Sequence, residues 1–236
     1  MVPLERATAI AGLILEGTPA GGEAGDPAVS ETGDRLAARD AKLMIAAYDL
    51  LGEYGLEGLT VRAVLERTGL NRRAFYERFA DKDELVLEVF RRSIQTVVTD
   101  CRGQVEALHD PLARLRFIIN YLVLPHPQNE MNSVQALRRN AALCREHMRL
   151  AESRADDLRN ALQPLIQLFA EQLAAGIACG LVRDVAPQRL ANLVYNLVST
   201  TVYAEVLSQE DASQWPDRTQ LADDIWDFCR RGVCAD

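Results

Sequence analysis

From residue 35 onward the apolar positions of this chain return at spacings of three, four and seven, the period of an α-helix with one buried face. Leu36, Leu43, Ala47, Leu50 and Leu51 share such a stripe, and Gly55 stands where the helix they define would end in a left-handed residue. Thr60 offers an N-cap to a second helix that turns Val61, Val64 and Leu65 inward, and Gly69 stops it. Asn71 caps a third, very short helix ending near Phe79. Asp81, with Glu84 three positions on, then opens a fourth through a capping-box pattern. Beyond it the helical period continues, with breaks at Asp110-Pro111, at Pro125-His126-Pro127, at 180–187 and at 208–217. These breaks predict helices near 83–106, 111–124, 131–148, 152–179, 187–207 and 219–232. Pro164 falls inside one of them and marks either a kink or that helix's true start. No strand pattern and no internal repeat is visible, so the expected fold class is all-α.

Composition adds boundaries to that outline. The 236 residues, 48% hydrophobic and 25% charged, suffice for one sizeable core and a small satellite domain. Residues 17–33 (GTPAGGEAGDPAVSETG) have turn and linker chemistry with almost nothing to bury, so 1–33 reads as a flexible extension, with room for a short helix at 4–16. The net charge of −8 argues against a protein that holds a polyanion by charge alone, but it is unevenly spread: residues 1–34 carry −5, 35–92 carry +1 and 93–236 carry −4. Within the middle block Arg62, Arg67, Arg72, Arg73, Arg78 and Lys82 crowd into one short span. Cys101, Cys144, Cys179, Cys229 and Cys234 form an odd, scattered set suited to free thiols in a reducing compartment. The apolar run at 9–15 lacks a basic segment before it, and no run reaches the roughly 18 residues of a membrane span. A cytoplasmic protein without membrane contact is expected.

The turn Thr68-Gly69-Leu70-Asn71 between two short helices has the form of a helix-turn-helix, whose second helix enters the major groove with its first residues toward the base edges. Leu70 then points into the small core, and Phe75 and Phe79, four apart, bury against Val61, Val64 and the first helix. Arg72, Arg73 and Tyr76 are left outside. A guanidinium fork pairs with guanine O6 and N7 or with a phosphate. Arg73 and Glu77 also have the spacing of a surface ion pair, and Lys82 opposes the dipole of the helix it opens unless an anion lies near.

These residues carry a resemblance. Residues 40–90 resemble the DNA-binding domain of the TetR family of bacterial transcriptional regulators: a first helix ending in Gly, Thr60-Val61-Arg62, Gly69-Leu70-Asn71-Arg72, the pair Phe75-Tyr76, Phe79, and Asp81-Lys82-Asp83-Glu84-Leu85. The resemblance implies that Tyr76 and Lys82 contact phosphates, that Thr60 and Arg62 anchor the second helix on the DNA backbone, and that Arg72 and Arg73 read or approach bases, with Asn71 in the same DNA-facing set. Arg73 departs from the family, which usually has Gly or another small residue there, and adds a long side chain for base reading. Ala74 stands where a phosphate-contacting Thr or Ser is common and removes a hydroxyl contact. The implied domains are a helix-turn-helix unit at 34–82 and an effector-binding and dimerisation domain at 83–236.

The larger part holds no catalytic set. His109, His126 and His147 lack metal-ligand spacing, Cys144 and His147 have no further ligand near them, and no glycine-rich phosphate loop occurs, so no catalytic residue, metal or cofactor is expected. The helix at 187–207 is apolar on two faces, Leu190, Leu193, Leu197 and Thr201 on one and Val194, Val198 and Val202 on the other, and so needs two partners, either within the chain or in a second copy. The Gly180-Leu181-x-Arg183-x-x-x-Pro187 link is similar to that of the family's C-terminal domain, which implies a homodimer closed by a four-helix interface. In the family the effector pocket lies between the helices that follow the DNA-binding domain. Carried over, Asn120, Tyr121, Gln135, Arg138 and Asn140 are the polar candidates. The expectation is a ligand-responsive regulator of double-stranded operator DNA, most simply a repressor released by a small molecule. The alternative is a helical enzyme or binding module in which the helix-turn-helix is only architectural.

Overall fold

The computed structural model of the chain describes residues 27–124, 134–208 and 218–235, with side chains for 35–124, 138–207 and 218–235. The helix expected at 4–16, the Pro125-His126-Pro127 break and most of the 208–217 break lie outside those residues. The chain divides into two compact units, Met1–Arg92 and Ser93–Asp236. Among the described residues the secondary structure is helical, apart from one isolated bridge between Val182 and Cys234.

In the first unit α1 (Pro27–Gly58) leads into α2 (Val61–Thr68), α3 (Arg72–Tyr76) and the start of α4 (Lys82–Val105). α1 begins inside the segment 1–33 expected as an extension. Gly55 interrupts it at φ 70 and ψ −166, a conformation that strains any side chain, so the regular helix ends where its glycine predicts. Leu43, Ala47, Leu50 and Leu51 are buried as their spacing requires, whereas Leu36 is 46% exposed. It precedes Ala41, the first buried position among the described side chains of α1, by more than a helical turn and lies beyond the reach of so small a core. Other core residues include Met44, Ala46, Leu59, Val64, Phe75, Phe79 and, from α4, Leu85, Val86, Leu87, Val89 and Phe90. Val61, Leu65 and Leu70, expected inward, are half-buried.

The second unit contains the rest of α4 with α5 (Pro111–Val123), α6 (Val134–Ser153), α7 (Ala155–Ala178), α8 (Pro187–Ser208) and α9 (Thr219–Val233). Asp110 caps α5, accepting from the N–H groups of Leu112 (3.2 Å) and Ala113 (3.0 Å) ahead of a proline in the first turn. α7 and α8 pack together and α5, α6 and α9 cover them. Pro164 lies inside α7, which starts at Ala155, so it is an interior proline whose ring offers no N–H to the preceding turn. Gly180, at φ 71, ends that helix region, and Val182 folds back so closely that a Cβ on Gly176 would stand 2.5 Å from its Cγ2. The last residues clasp the same link: Arg183 N–H donates to the Val233 carbonyl (3.0 Å) and Ala235 N–H to that of Leu181 (3.1 Å).

α8 shows why its helix reads as two-faced. Leu190, Ala191, Val194, Tyr195, Val198 and Val206 are buried, while Leu193 is 57% exposed, Leu207 is exposed and Leu197 half-buried. Leu190 thus joins the valine face. Leu193, Leu197 and Leu207 form a stripe that the described residues leave at least partly uncovered.

Candidate nucleic-acid interface

The local sequence builds the two-helix unit piece by piece. Thr60 sits in extended backbone and its Oγ1 accepts from Ala63 N–H at 3.1 Å, capping α2. Arg67 ties α2 to α1 through two hydrogen bonds of 2.7 Å to the Glu53 carboxylate, and that guanidinium holds the Glu53 carboxyl below its ordinary range. Gly69 closes α2 at φ 69, its N–H donating to the Leu65 carbonyl at 2.9 Å. Nothing lies within 4 Å of where its Cβ would be, so glycine is required there by the backbone conformation and not by crowding. Asn71 then caps α3, its Oδ1 accepting from Ala74 N–H at 2.9 Å.

A helix of five residues does not persist by itself, so α3 depends on what holds it. Phe75 and Phe79 are fully buried with ring centroids 5.7 Å apart. Arg39 of α1 donates to Glu77 at 2.7 Å, Arg78 donates to Asp40 of α1 at 2.8 Å, and the Arg78 guanidinium lies 4.8 Å over the Phe79 ring. With Phe75 turned inward, helical geometry sends Arg73 and Tyr76 out; Arg72, at the open first turn, is exposed with them. Tyr76 rests its ring edge against Phe75 at 5.3 Å while leaving 53% of its surface in solvent.

Each predicted DNA-facing residue has a definite place. Thr60, Arg62, Asn71, Arg72, Arg73 and Tyr76 are exposed, and Lys82, the first residue of α4, is half-buried. The side-chain oxygens of Thr60 and Asn71 are engaged as caps. Arg62 pairs with Glu66 (2.7 Å) and Arg73 with Glu77 (2.8 Å), both one turn along their own helices. Asp81 accepts from Glu84 N–H at 2.8 Å as its spacing predicts, but Glu84 returns its carboxylate to Ala80 N–H (2.6 Å), one residue earlier than a capping box would. Glu77 had no assigned role in the sequence beyond pairing with Arg73. Arg39 is 38 positions away and no local pattern links them. The two guanidiniums together hold the Glu77 carboxyl below its usual range, the Arg73 bond contributing most.

In the second unit Asn120 is half-buried, and its Oδ1 is buried without a hydrogen-bond partner among the described residues. Tyr121 donates to Asp100 at 2.6 Å, and burial together with that carboxylate raises the phenol's pKa. Arg138 is exposed and Asn140 half-buried; the Gln135 side chain lies outside the described residues. A different polar group forms between α6 and α8. The Tyr203 hydroxyl and His147 Nδ1 are 3.1 Å apart with their rings edge-on at 4.9 Å, and Tyr195 stands 6.3 Å from the same imidazole. Burial lowers the His147 pKa, raises that of Tyr203 and pushes Tyr195 up to about 12. The polar residues Tyr195, Ser199 and Tyr203 recur every fourth position on α8, a signal readable in the sequence, but His147 enters from 56 residues away.

A short helix stopped by a left-handed glycine, followed by a second whose aromatic residues face inward and whose arginines face out, has the form of a helix-turn-helix, the class of unit that places its second helix in the major groove of DNA. The pattern of the bacterial regulatory proteins of the tetR family matches residues 43–89. Over that segment the chain is similar to the TetR family of bacterial transcriptional regulators. The HTH-type transcriptional repressor Rv1474c of Mycobacterium tuberculosis is 34% identical over 89 residues, 37% of this chain and 46% of the relative, so the chain spans about half the length of that repressor. The repressor KstR2 of the same species is 26% identical over 180 residues, 73% of this chain and 84% of the relative. Among solved structures, the regulator FadR of Bacillus subtilis in complex with stearoyl-CoA superposes with a TM-score of 0.63 at 14% identity, covering 81% of this chain and 98% of that one, a likeness of fold.

Proposed function

We propose that the chain is a cytoplasmic, dimeric repressor that binds operator DNA through α3 and leaves it when a small molecule enters the second unit. The observation that carries this is the orientation of α3: Phe75 is sealed in the core while Arg72, Arg73 and Tyr76 stand in solvent beside a capped helix start. Arg72 and Arg73 are assigned to bases, Tyr76, Lys82, Arg62 and the Thr60 end of α2 to phosphates, and Asn71 to the tip that approaches the groove. A lysine at the first position of α4 opposes the helix dipole, and a phosphate there would offset that cost. The Leu193, Leu197 and Leu207 stripe supports a second copy against α8, and a two-fold protein suits paired half-sites about 34 Å apart.

The effector class is unassigned, but polar side chains inside an apolar helical body are the chemistry that orients a small ligand. Asn120 and the His147, Tyr195 and Tyr203 group are such side chains. A ligand that favours one conformer shifts operator affinity by the same factor that DNA shifts ligand affinity, typically about 5- to 150-fold. Gel shift with fragments selected from a random duplex pool tests the proposal. A palindromic, salt-sensitive complex is expected, with Lys82→Ala weakening all sequences alike and lowering the salt slope by about 0.9. No complex at low salt would refute it.

A further inference from the structure

The Glu77 carboxylate is shared. One oxygen accepts from Arg39 Nη1 at 2.7 Å and the other from Arg73 Nε at 2.8 Å, so α1 and α3 meet on a single acid. Arg39 is largely buried, whereas the Arg73 side chain is 87% exposed. The charges continue inward, with Arg39 Nε 3.7 Å from Asp40 and Asp40 accepting from Arg78, so Glu77 is anchored on its protein side by a chain of alternating signs. A guanidinium has five N–H donors in a rigid plane, and a bond at Nε uses only one of them. Among the described residues the Nη1 and Nη2 groups of Arg73 have no hydrogen-bond partner. Their paired edge is the one that matches guanine O6 and N7.

We propose that Glu77, held by Arg39, is a positioning residue for sequence reading: it grips Arg73 by Nε and presents the Nη1/Nη2 edge to guanine. This rests on the assignment of Arg73 to base contact made above. DNA then has no need to break the Arg73–Glu77 pair, because the pair and the base use different edges of one plane. The benefit is preorganisation, since a long, exposed arginine otherwise loses rotamer freedom on binding. An acid this close to the phosphates also repels them, so Glu77 lowers affinity for every sequence while raising selectivity for one.

That opposition of signs gives the test. Full-length protein is used to recover a duplex from a random pool, and binding is measured to that duplex and to versions with individual G·C pairs changed to A·T. The native protein is expected to prefer guanine at one position of each half-site by about 5- to 150-fold, and Arg73→Ala to abolish that preference. Glu77→Ala should cut the preference by about 3- to 10-fold while binding to the substituted duplex holds or strengthens. Glu77→Gln, which keeps an acceptor, should restore part of it, and in the Arg73→Ala background Glu77→Ala should leave the preference unmoved. If Glu77→Ala shifts all duplexes equally with the guanine preference intact, the positioning role is wrong while base reading by Arg73 stands. If Arg73→Ala keeps the preference, both fall. If Glu77→Ala does not fold, Arg39→Gln carries the test from α1: a reduced preference supports the role, an unchanged one overturns it.

Discussion

Removing the Phe75 ring is the sharpest probe of how α3 is held, because this side chain connects fold to function. Phe75 is fully buried, packs 5.7 Å from the Phe79 ring, and lies on a helix of only five residues. A buried phenylalanine removes roughly 150–250 Å² from water, about 4–6 kcal/mol at 25 cal/mol per Å², and truncations of this kind cost about 3–5 kcal/mol when measured. Single domains are stable by about 5–15 kcal/mol, so Phe75→Ala should use up a large part of the first unit's margin. α3 is too short to stand alone, and its outward arginines should lose their frame at the same time. Urea unfolding followed by helical circular dichroism, alongside operator gel shift, should show a lower midpoint and lost binding together. Tyr76→Phe is the control: it removes an exposed hydroxyl, should leave the midpoint within about 0.5 kcal/mol, and should still weaken DNA binding. If Phe75→Ala keeps both midpoint and operator affinity, α3 is not held by its aromatic side and the orientation argument fails.

Three further outcomes are expected. Gly69→Ala meets no neighbour but must adopt φ 69, so it should destabilise by about 1–2 kcal/mol, checked by thermal melting; a neutral result would mean the turn relaxes out of the left-handed region. Leu193→Glu on the α8 stripe left exposed by the described residues should yield monomers in analytical ultracentrifugation with helical content retained, and an undiminished dimer would place the interface elsewhere. The Glu53 carboxyl is depressed from its ordinary 4.5 in the folded chain by Arg67, so its contribution is present above that value and lost as pH falls through the folded value. Glu53→Gln should flatten the acid limb of the first unit's stability curve, and an unchanged limb would show that the pair adds nothing there.

Much of this protein is written in local order. The caps at Thr60, Asn71 and Asp81, the left-handed glycines Gly55 and Gly69, and the spacing of Phe75 and Phe79 are short-range signals, since each depends on neighbours within one helical turn. They determined the helix-turn-helix and hence which arginines face out. Short-range order could not decide where the core ends, so Leu36 reads as buried and is exposed, and Leu190 joins the valine face of α8 while Leu193 does not. Nor could it decide partnerships across the chain. Arg39 finds Glu77 and His147 finds Tyr203 only because folded helices bring together residues 38 and 56 positions apart. Helix periodicity tells a side chain which way to point; what it meets there is settled by the packing of other helices, and that is a property of the tertiary structure alone.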